Sequence, residues 1–206
     1  VNIALTGGIG SGKSSIAAIL ASALQVTTIS ADSICRDLMQ PDAEGWRGII
    51  AQWGEQYLNS DRTINRGLLR ETVFQDSRMR SQLEAILHPL IRISVKERMD
   101  IADKSGESLV VEVPLLFEVA WQDDFDCTVA VYAPESVCLR RVMGRDAISE
   151  ELALKIVHAQ IAPEKKAEMA EYVIDNSSLW VQAVQQVGRL ARLLRRKSGE
   201  EGKPAV

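Results

Sequence analysis

Short apolar runs alternate along the chain with longer stretches in which apolar residues return every three or four positions. Ile3–Thr6, Val26–Ile29, Leu109–Val113, Thr128–Tyr132 and Tyr172–Ile174 are the compact runs, each of strand length and too short for a helix. After the first of them, Ile16, Ile19, Leu20, Ala23 and Leu24 fall on one face of a helix. Strands separated by helical patterns predict an α/β fold with a five-stranded parallel sheet. The interval from about Asp32 to Ser108 is far longer than one crossover helix needs. Within it Asn65 is placed to cap a helix carrying Leu68, Leu69, Val73 and Phe74, and Asp76 or Ser77 to cap the next. It reads as a helical insertion that builds an acceptor-substrate site over the carboxyl edge of the sheet. A second insertion separates the fourth and fifth strands, with Ser149 as an N-cap ahead of Glu150 and Glu151.

The turn between the first strand and its helix changes the picture most. Gly7-Gly8-Ile9-Gly10-Ser11-Gly12-Lys13-Ser14 is a complete G-x-x-x-x-G-K-[ST] phosphate loop in the required strand–loop–helix order. Glycines let the backbone turn its N–H groups toward an anion, and the helix N-terminus adds its dipole. Lys13 brings a positive charge to the β- and γ-phosphates of ATP, and Ser14 offers a hydroxyl to Mg²⁺. A turn that binds nothing requires neither Lys13 nor Ser14. A dinucleotide-binding reading of Gly8 and Gly10 fails because position 13 is Lys.

Composition narrows the partners. At 206 residues, 46% apolar and 25% charged, the chain is long enough for a real core. A net charge of −4 argues against a nucleic-acid partner. Cys35, Cys127 and Cys138 match no zinc or redox spacing, which predicts reduced thiols in a cytoplasmic protein. With His88 and His158 as the only histidines, a His-rich metal site is excluded. No run approaches the length of a membrane span, and the first residues read as a strand rather than a signal peptide. Trp46, Trp53 and Trp121 are expected in cores or interfaces. The tail Lys197–Val206 is polar and expected to fray.

A phosphate loop alone does not separate kinases, GTPases and motor ATPases. No N-K-x-D segment is present to read a guanine, and D-x-x-G at Asp42–Gly45 and Asp103–Gly106 directly follows no strand. Size and the two insertions favour a small-molecule kinase. The second insertion is locally basic, with Arg140, Arg141, Arg145, Lys155, Lys165 and Lys166. It reads as a mobile lid bringing arginines to ATP, or as a solvated helix pair. If residues 135–145 are helical, Arg141 and Arg145 share a face and Arg140 sits a quarter turn away. The pair are candidates for binding ATP phosphates and stabilising transition-state charge, against the alternative of surface ion pairs. Asp32, just past the second strand, sits where α/β sheets place their sites, yet Ser30 or Asp32 followed by Ile34, Leu38 and Met39 reads equally as a helix start. His88 precedes Pro89 and is either near substrate or the cap of a helix starting near Pro89. Asn176, just after the fifth strand, is either a contact for the adenine edge or part of an Asx turn into the final helix.

The chain also resembles the dephospho-CoA kinase family. The resemblance rests on Leu5–Ser14, Ala31-Asp32, Leu87-His88-Pro89 with Ile91, and Val113-Pro114-Leu115-Leu116-Phe117-Glu118. Arg141 with Arg145-Asp146, Ala159-Gln160 and Tyr172-Val173-Ile174-Asp175-Asn176-Ser177 complete it, in the family's order across residues 3–177. It departs at Ser15, where Thr is usual, at Ser30, often acidic, and at Glu112, often Asp. The resemblance implies transfer of the ATP γ-phosphoryl group to the ribose 3′-hydroxyl of dephospho-CoA, giving CoA, with Asp32 as the base. It implies Lys13, Asp32, Arg141 and Arg145 as catalytic, and Gly8, Gly10, Ser11, Gly12, Lys13, Ser14, Ser15 and Asn176 as nucleotide-binding. Thr6, Asp32 and His88 would face the substrate, and Ser14 the metal. It implies an adenylate-kinase-like architecture: a nucleotide-binding core over 1–31, 109–134 and 170–196, a helical CoA-substrate domain over 32–108 and a lid over 135–169. The rival readings are another small-molecule P-loop kinase, or a nucleotide-gated binding module without catalysis.

Overall fold

The computed structural model describes residues 1–197; of the tail expected to fray over 197–206, Lys197 closes the last helix and the remainder lies outside the described residues. The strands are β1 Asn2–Thr6, β2 Thr27–Ser30, β3 Leu109–Glu112, β4 Cys127–Tyr132 and β5 Tyr172–Asp175. They form one parallel sheet in the order β2-β3-β1-β4-β5. Central β1 sets Asn2 to Leu5 opposite Leu109 to Glu112 on one side, and Ile3 to Thr6 opposite Cys127 to Ala130 on the other. Every residue of β1 is buried, which is why its sequence reads as a continuous run rather than an alternation. Helices α1 Lys13–Leu24 and α9 Trp180–Lys197 build one core with the sheet. Ile16 and Leu20 from α1, and Val187 and Leu194 from α9, pack with Ile3, Leu5, Val129 and Val131. Each such side chain contributes about 1.5–3 kcal/mol by leaving water.

Two compact units divide the described residues: 1–29 with 101–197, and Ser30–Asp100. The smaller unit holds α2 Ala31–Leu38, α3 Glu44–Trp53, α4 Arg66–Gln75 and most of α5 Ser77–Lys104. It has its own core of Trp46, Ile49, Tyr57, Ile64, Leu69 and Met79, with Trp53 packed against it. Trp46 donates from Nε1 to the Arg62 carbonyl at 2.8 Å, and the Arg62 guanidinium lies over its ring. Asn65 caps α4 by accepting from the Leu68 N–H at 3.0 Å. Asp76, not Ser77, caps α5: its Oδ1 accepts from the N–H groups of Arg78 and Met79.

One local expectation is corrected here. No helix begins at Pro89 and His88 is no cap; both lie inside the 28-residue α5. Proline in a helix interior costs about 3 kcal/mol. Leu87, Ile91, Val95 and Met99 form a buried four-residue repeat that crosses Pro89 without a break, so burial of that stripe outweighs the local penalty.

Between β4 and β5 come α6 Glu135–Asp146, α7 Glu150–His158 and α8 Pro163–Met169, all within the larger unit. Ser149 caps α7, accepting from the Leu152 N–H at 3.3 Å. The basic residues of this segment have different fates. Lys155 pairs with Glu151 and Lys165 with Glu168 in exposed bridges of little energetic weight. Lys166 is 1% exposed. No helix among the described residues is long and apolar enough to cross a membrane.

Candidate active site at the phosphate loop

The loop leaves β1 at Thr6 and enters α1 at Lys13. Gly10 and Gly12 have φ of 80° and 89°, the left-handed region that favours glycine. Space is as demanding as torsion: a Cβ on Gly10 would lie 2.6 Å from the Cys138 carbonyl oxygen, and one on Gly12 would collide with the Asn176 amide. α1 has no acidic residue of its own in its first turn, and its N-terminal dipole favours an anion supplied from elsewhere. Gly10→Ala is therefore expected to destabilise the protein by about 1–3 kcal/mol and to weaken nucleotide binding. A thermal melt with and without an ATP analogue checks this; an unchanged melt would mean the loop relaxes around the methyl group.

Fixed groups shape the loop from behind. Ser11 is fully buried; its N–H bonds the Gly8 carbonyl at 3.1 Å. The Ser11 carbonyl accepts from Asn176 Nδ2 at 2.7 Å and from an Arg141 Nη at 3.3 Å. Arg141 also donates to the carbonyls of Gly10 at 3.2 Å and Asn176 at 2.9 Å. Three donations to the loop's own carbonyls thus hold the turn, and the fourth ties Arg141 to Asn176, which lets the glycines keep one shape. Cys138 packs behind Gly10 as a neutral thiol: burial pushes its pKa up, against the opposing pull of Arg141 and Lys13.

Several sequence expectations change on this geometry. Asn176 is 4% exposed and donates one amide N–H to the Ser11 carbonyl, so it braces the loop as well as standing beside it. Thr6 is fully buried at the end of the central strand and donates to the Pro114 carbonyl at 3.3 Å, so it faces the fold rather than a substrate. Arg141 and Arg145 lie on α6 as the spacing suggested, but they diverge in partners. Arg141 is bonded to the loop; Arg145 is exposed and clasps Asp146 with contacts of 2.7 and 2.8 Å. Arg140 bonds back to the Ser136 carbonyl within its own helix. Ser14 and Ser15 are exposed in the first turn of α1, beside Lys13. Asp32 is the second residue of α2, exposed, and belongs with the half-buried His88 to the smaller unit.

Two further contacts concern chemistry. Ser14 Oγ donates to Glu112 Oε2 at 2.9 Å, joining the start of α1 to the end of β3. The Ile9 N–H donates to Gln160 Oε1 at 2.9 Å. Gln160 was visible in the sequence only as part of Ala159-Gln160, and nothing in its spacing marks it as a loop contact. No cluster of three or more His, Cys, Asp or Glu placed for a metal occurs among the described residues.

None of these contacts is particular to one acceptor. What the parallel sheet and the loop at its central strand define is a P-loop kinase. A sequence model described as dephospho-CoA kinase matches residues 1–182, and the chain belongs to that family. A dephospho-CoA kinase of Desulfotalea psychrophila is 37% identical over 187 residues, covering 91% of this chain and 94% of that protein. The solved dephospho-CoA kinase of Campylobacter jejuni is 29% identical and superposes with a TM-score of 0.70 over 97% of this chain and 98% of its own. A solved Thermus thermophilus protein reaches 0.76 at 28% identity, over 98% of both chains.

Proposed function

We propose that the protein transfers the γ-phosphoryl group of ATP to the ribose 3′-hydroxyl of dephospho-CoA, producing CoA and ADP. The observation that carries the reading is the complete, braced phosphate loop in a chain of this family. Phosphoryl transfer is mainly positioning and charge neutralisation; a loop already held in one shape supplies the first, and Lys13 the second. The backbone from Gly8 to Ser14 holds the β- and γ-phosphates. Lys13 neutralises the charge that moves with the transferring group. Asp32 is proposed to orient the 3′-hydroxyl and accept its proton. Arg145 reaches the phosphates by exchanging the Asp146 carboxylate for them, which an exposed pair permits at little cost. Arg141, fixed to the loop, adds its charge from behind. His88 is proposed to lie along the acceptor.

The residues also suit Mg²⁺. A hydroxyl and a carboxylate oxygen 2.9 Å apart, Ser14 Oγ and Glu112 Oε2, are the hard donors this ion takes together with phosphate oxygens and water. When bound, Mg²⁺ neutralises charge on the β- and γ-phosphates. Glu112 would orient Ser14 and receive hydrogen bonds from coordinated water. Free thiols at all three cysteines are consistent with work in the cytoplasm.

The test is an ATP-consumption assay with dephospho-CoA, AMP, uridine and gluconate as separate acceptors. Stoichiometric 3′-phosphorylated product with dephospho-CoA alone is expected. Turnover with another acceptor at a comparable rate would refute the assignment.

A further inference from the structure

The phosphate loop has a second brace, on its other half. Arg141 and Asn176 hold Gly10 and Ser11, whereas Gly8 and Ile9 meet the connection between α7 and α8. The Ile9 N–H donates to Gln160 Oε1 at 2.9 Å, and a Cβ on Gly8 would lie 3.7 Å from Pro163 Cγ and 3.9 Å from Gln160 Oε1. That connection is itself anchored. The Ile161 N–H donates to Glu118 Oε1 at 3.0 Å. Lys166 Nζ donates to the same oxygen at 2.8 Å and to the Pro114 carbonyl at 2.6 Å. The Lys166 side chain is 1% exposed and that of Glu118 17%. Glu118 Oε2 is buried with no hydrogen-bond partner.

A pair this enclosed is a poor device for stability alone. Desolvating an ammonium and a carboxylate offsets most of their attraction, and apolar residues of similar volume often do as well. Burial pushes the Lys166 pKa down while Glu118 pulls it up, the signature of that opposition. What such a pair does well is fix direction. One carboxylate oxygen collects Ile161 from the start of the connection and Lys166 from the helix that ends it. The residue immediately before Ile161 is Gln160.

We propose that Lys166 and Glu118 are positioning residues: they hold Gln160 against the Ile9 N–H and so pre-set the Gly8–Ile9 half of the phosphate loop for ATP. The inference rests on the ATP-dependent reading above. A glycine-rich turn has much backbone freedom to lose, and whatever fixes it in advance lowers the ordering cost of binding. Gln160 is the group in contact with the loop; Lys166 and Glu118 act through it.

The test uses Gln160→Met, Lys166→Met and the double variant in the full chain. The readouts are calorimetric Kd for a non-hydrolysable ATP analogue, KM for ATP and for acceptor, and Tm. Gln160→Met is expected to weaken the analogue about tenfold, the weight of one lost hydrogen bond, with Tm near wild type. Lys166→Met should weaken it comparably and also lower Tm. The double variant should match Lys166→Met in Kd, because both substitutions release the same contact, while KM for acceptor stays put. Wild-type affinity in Gln160→Met, or losses that multiply in the double variant, would overturn the proposal. Tighter binding in Gln160→Met would overturn it too, making the glutamine a competitor of phosphate. If Lys166→Met fails to fold, Glu118→Gln replaces it, with the same non-additivity expected against Gln160→Met. Analogue binding is read without any acceptor, so this result stands apart from whether dephospho-CoA is the substrate.

Discussion

Lys13→Ala is expected to leave about a hundredth of wild-type kcat or less, a loss of about 2.7 kcal/mol or more in transition-state stabilisation, with Tm close to wild type. Lys13 opens α1 and is absent from the hydrophobic core beneath the loop. Its charge stands at the positive end of a helix with no acidic residue in its first turn. That end of a helix favours an anion, and it is there that the loop would bring the phosphates beside Lys13. The loss should therefore fall on turnover and on nucleotide binding, not on folding. Single-turnover rates and a melt on the same preparation check it. A variant that keeps a tenth of wild-type kcat would remove Lys13 from the catalytic set.

Asp32→Asn is expected to lose on the order of 10²-fold or more in kcat while Tm and ATP binding hold. The structure sharpens this expectation. The N-cap of α2 is Ser30, which makes no side-chain capping bond, and Asp32 lies one position inside the helix. Its carbonyl accepts from Arg36 Nε at 3.2 Å, a bond that Asn preserves. The carboxylate's remaining structural contribution is its favourable place near the helix N-terminus, about 0.3–1 kcal/mol. A large loss of rate with so small a stake in stability identifies a group that handles a proton. If Asp32→Asn turns over like wild type, the 3′-hydroxyl attacks without a base, which a loose transition state allows.

Much of the framework was legible because its signals are short-range and redundant. The five strand runs fall within a residue or two of the observed strands, and the signal is strongest in β1, β3 and β4, which are buried almost throughout and so must be apolar. Asn65, Asp76 and Ser149 announced helix starts by chemistry that acts over three residues. The phosphate loop was legible because its backbone geometry admits almost no other sequence. Apart from Pro89, whose own helix neighbours decide it, the failures depend on a partner distant in the chain. Pro89 reads as a boundary until the buried stripe through Ile91 and Val95 is known. Asn176 reads as exposed turn chemistry until the Ser11 carbonyl is found beside it. Lys166 looks like one more surface charge until Glu118 and Pro114 close over it. Gln160 carries no local signal, because a glutamine bonded to a backbone N–H places no demand on its neighbours.

The sheet order sets a timetable for the chain as it leaves the ribosome. β1 lies between β3 and β4, so Asn2 pairs with Leu109 and Ile3 with Cys127. At about 5–20 residues per second, the residues that flank β1 are made many seconds after β1 itself. Throughout that wait Ile3, Ala4 and Leu5 have no native strand to join. The segment Ser30–Asp100 is under no such constraint. Its core of Trp46, Ile49, Tyr57, Ile64, Leu69 and Met79 is complete before β3 is synthesised. The helical insertion is thus in a position to collapse first, and the nucleotide-binding sheet closes only once its later strands arrive.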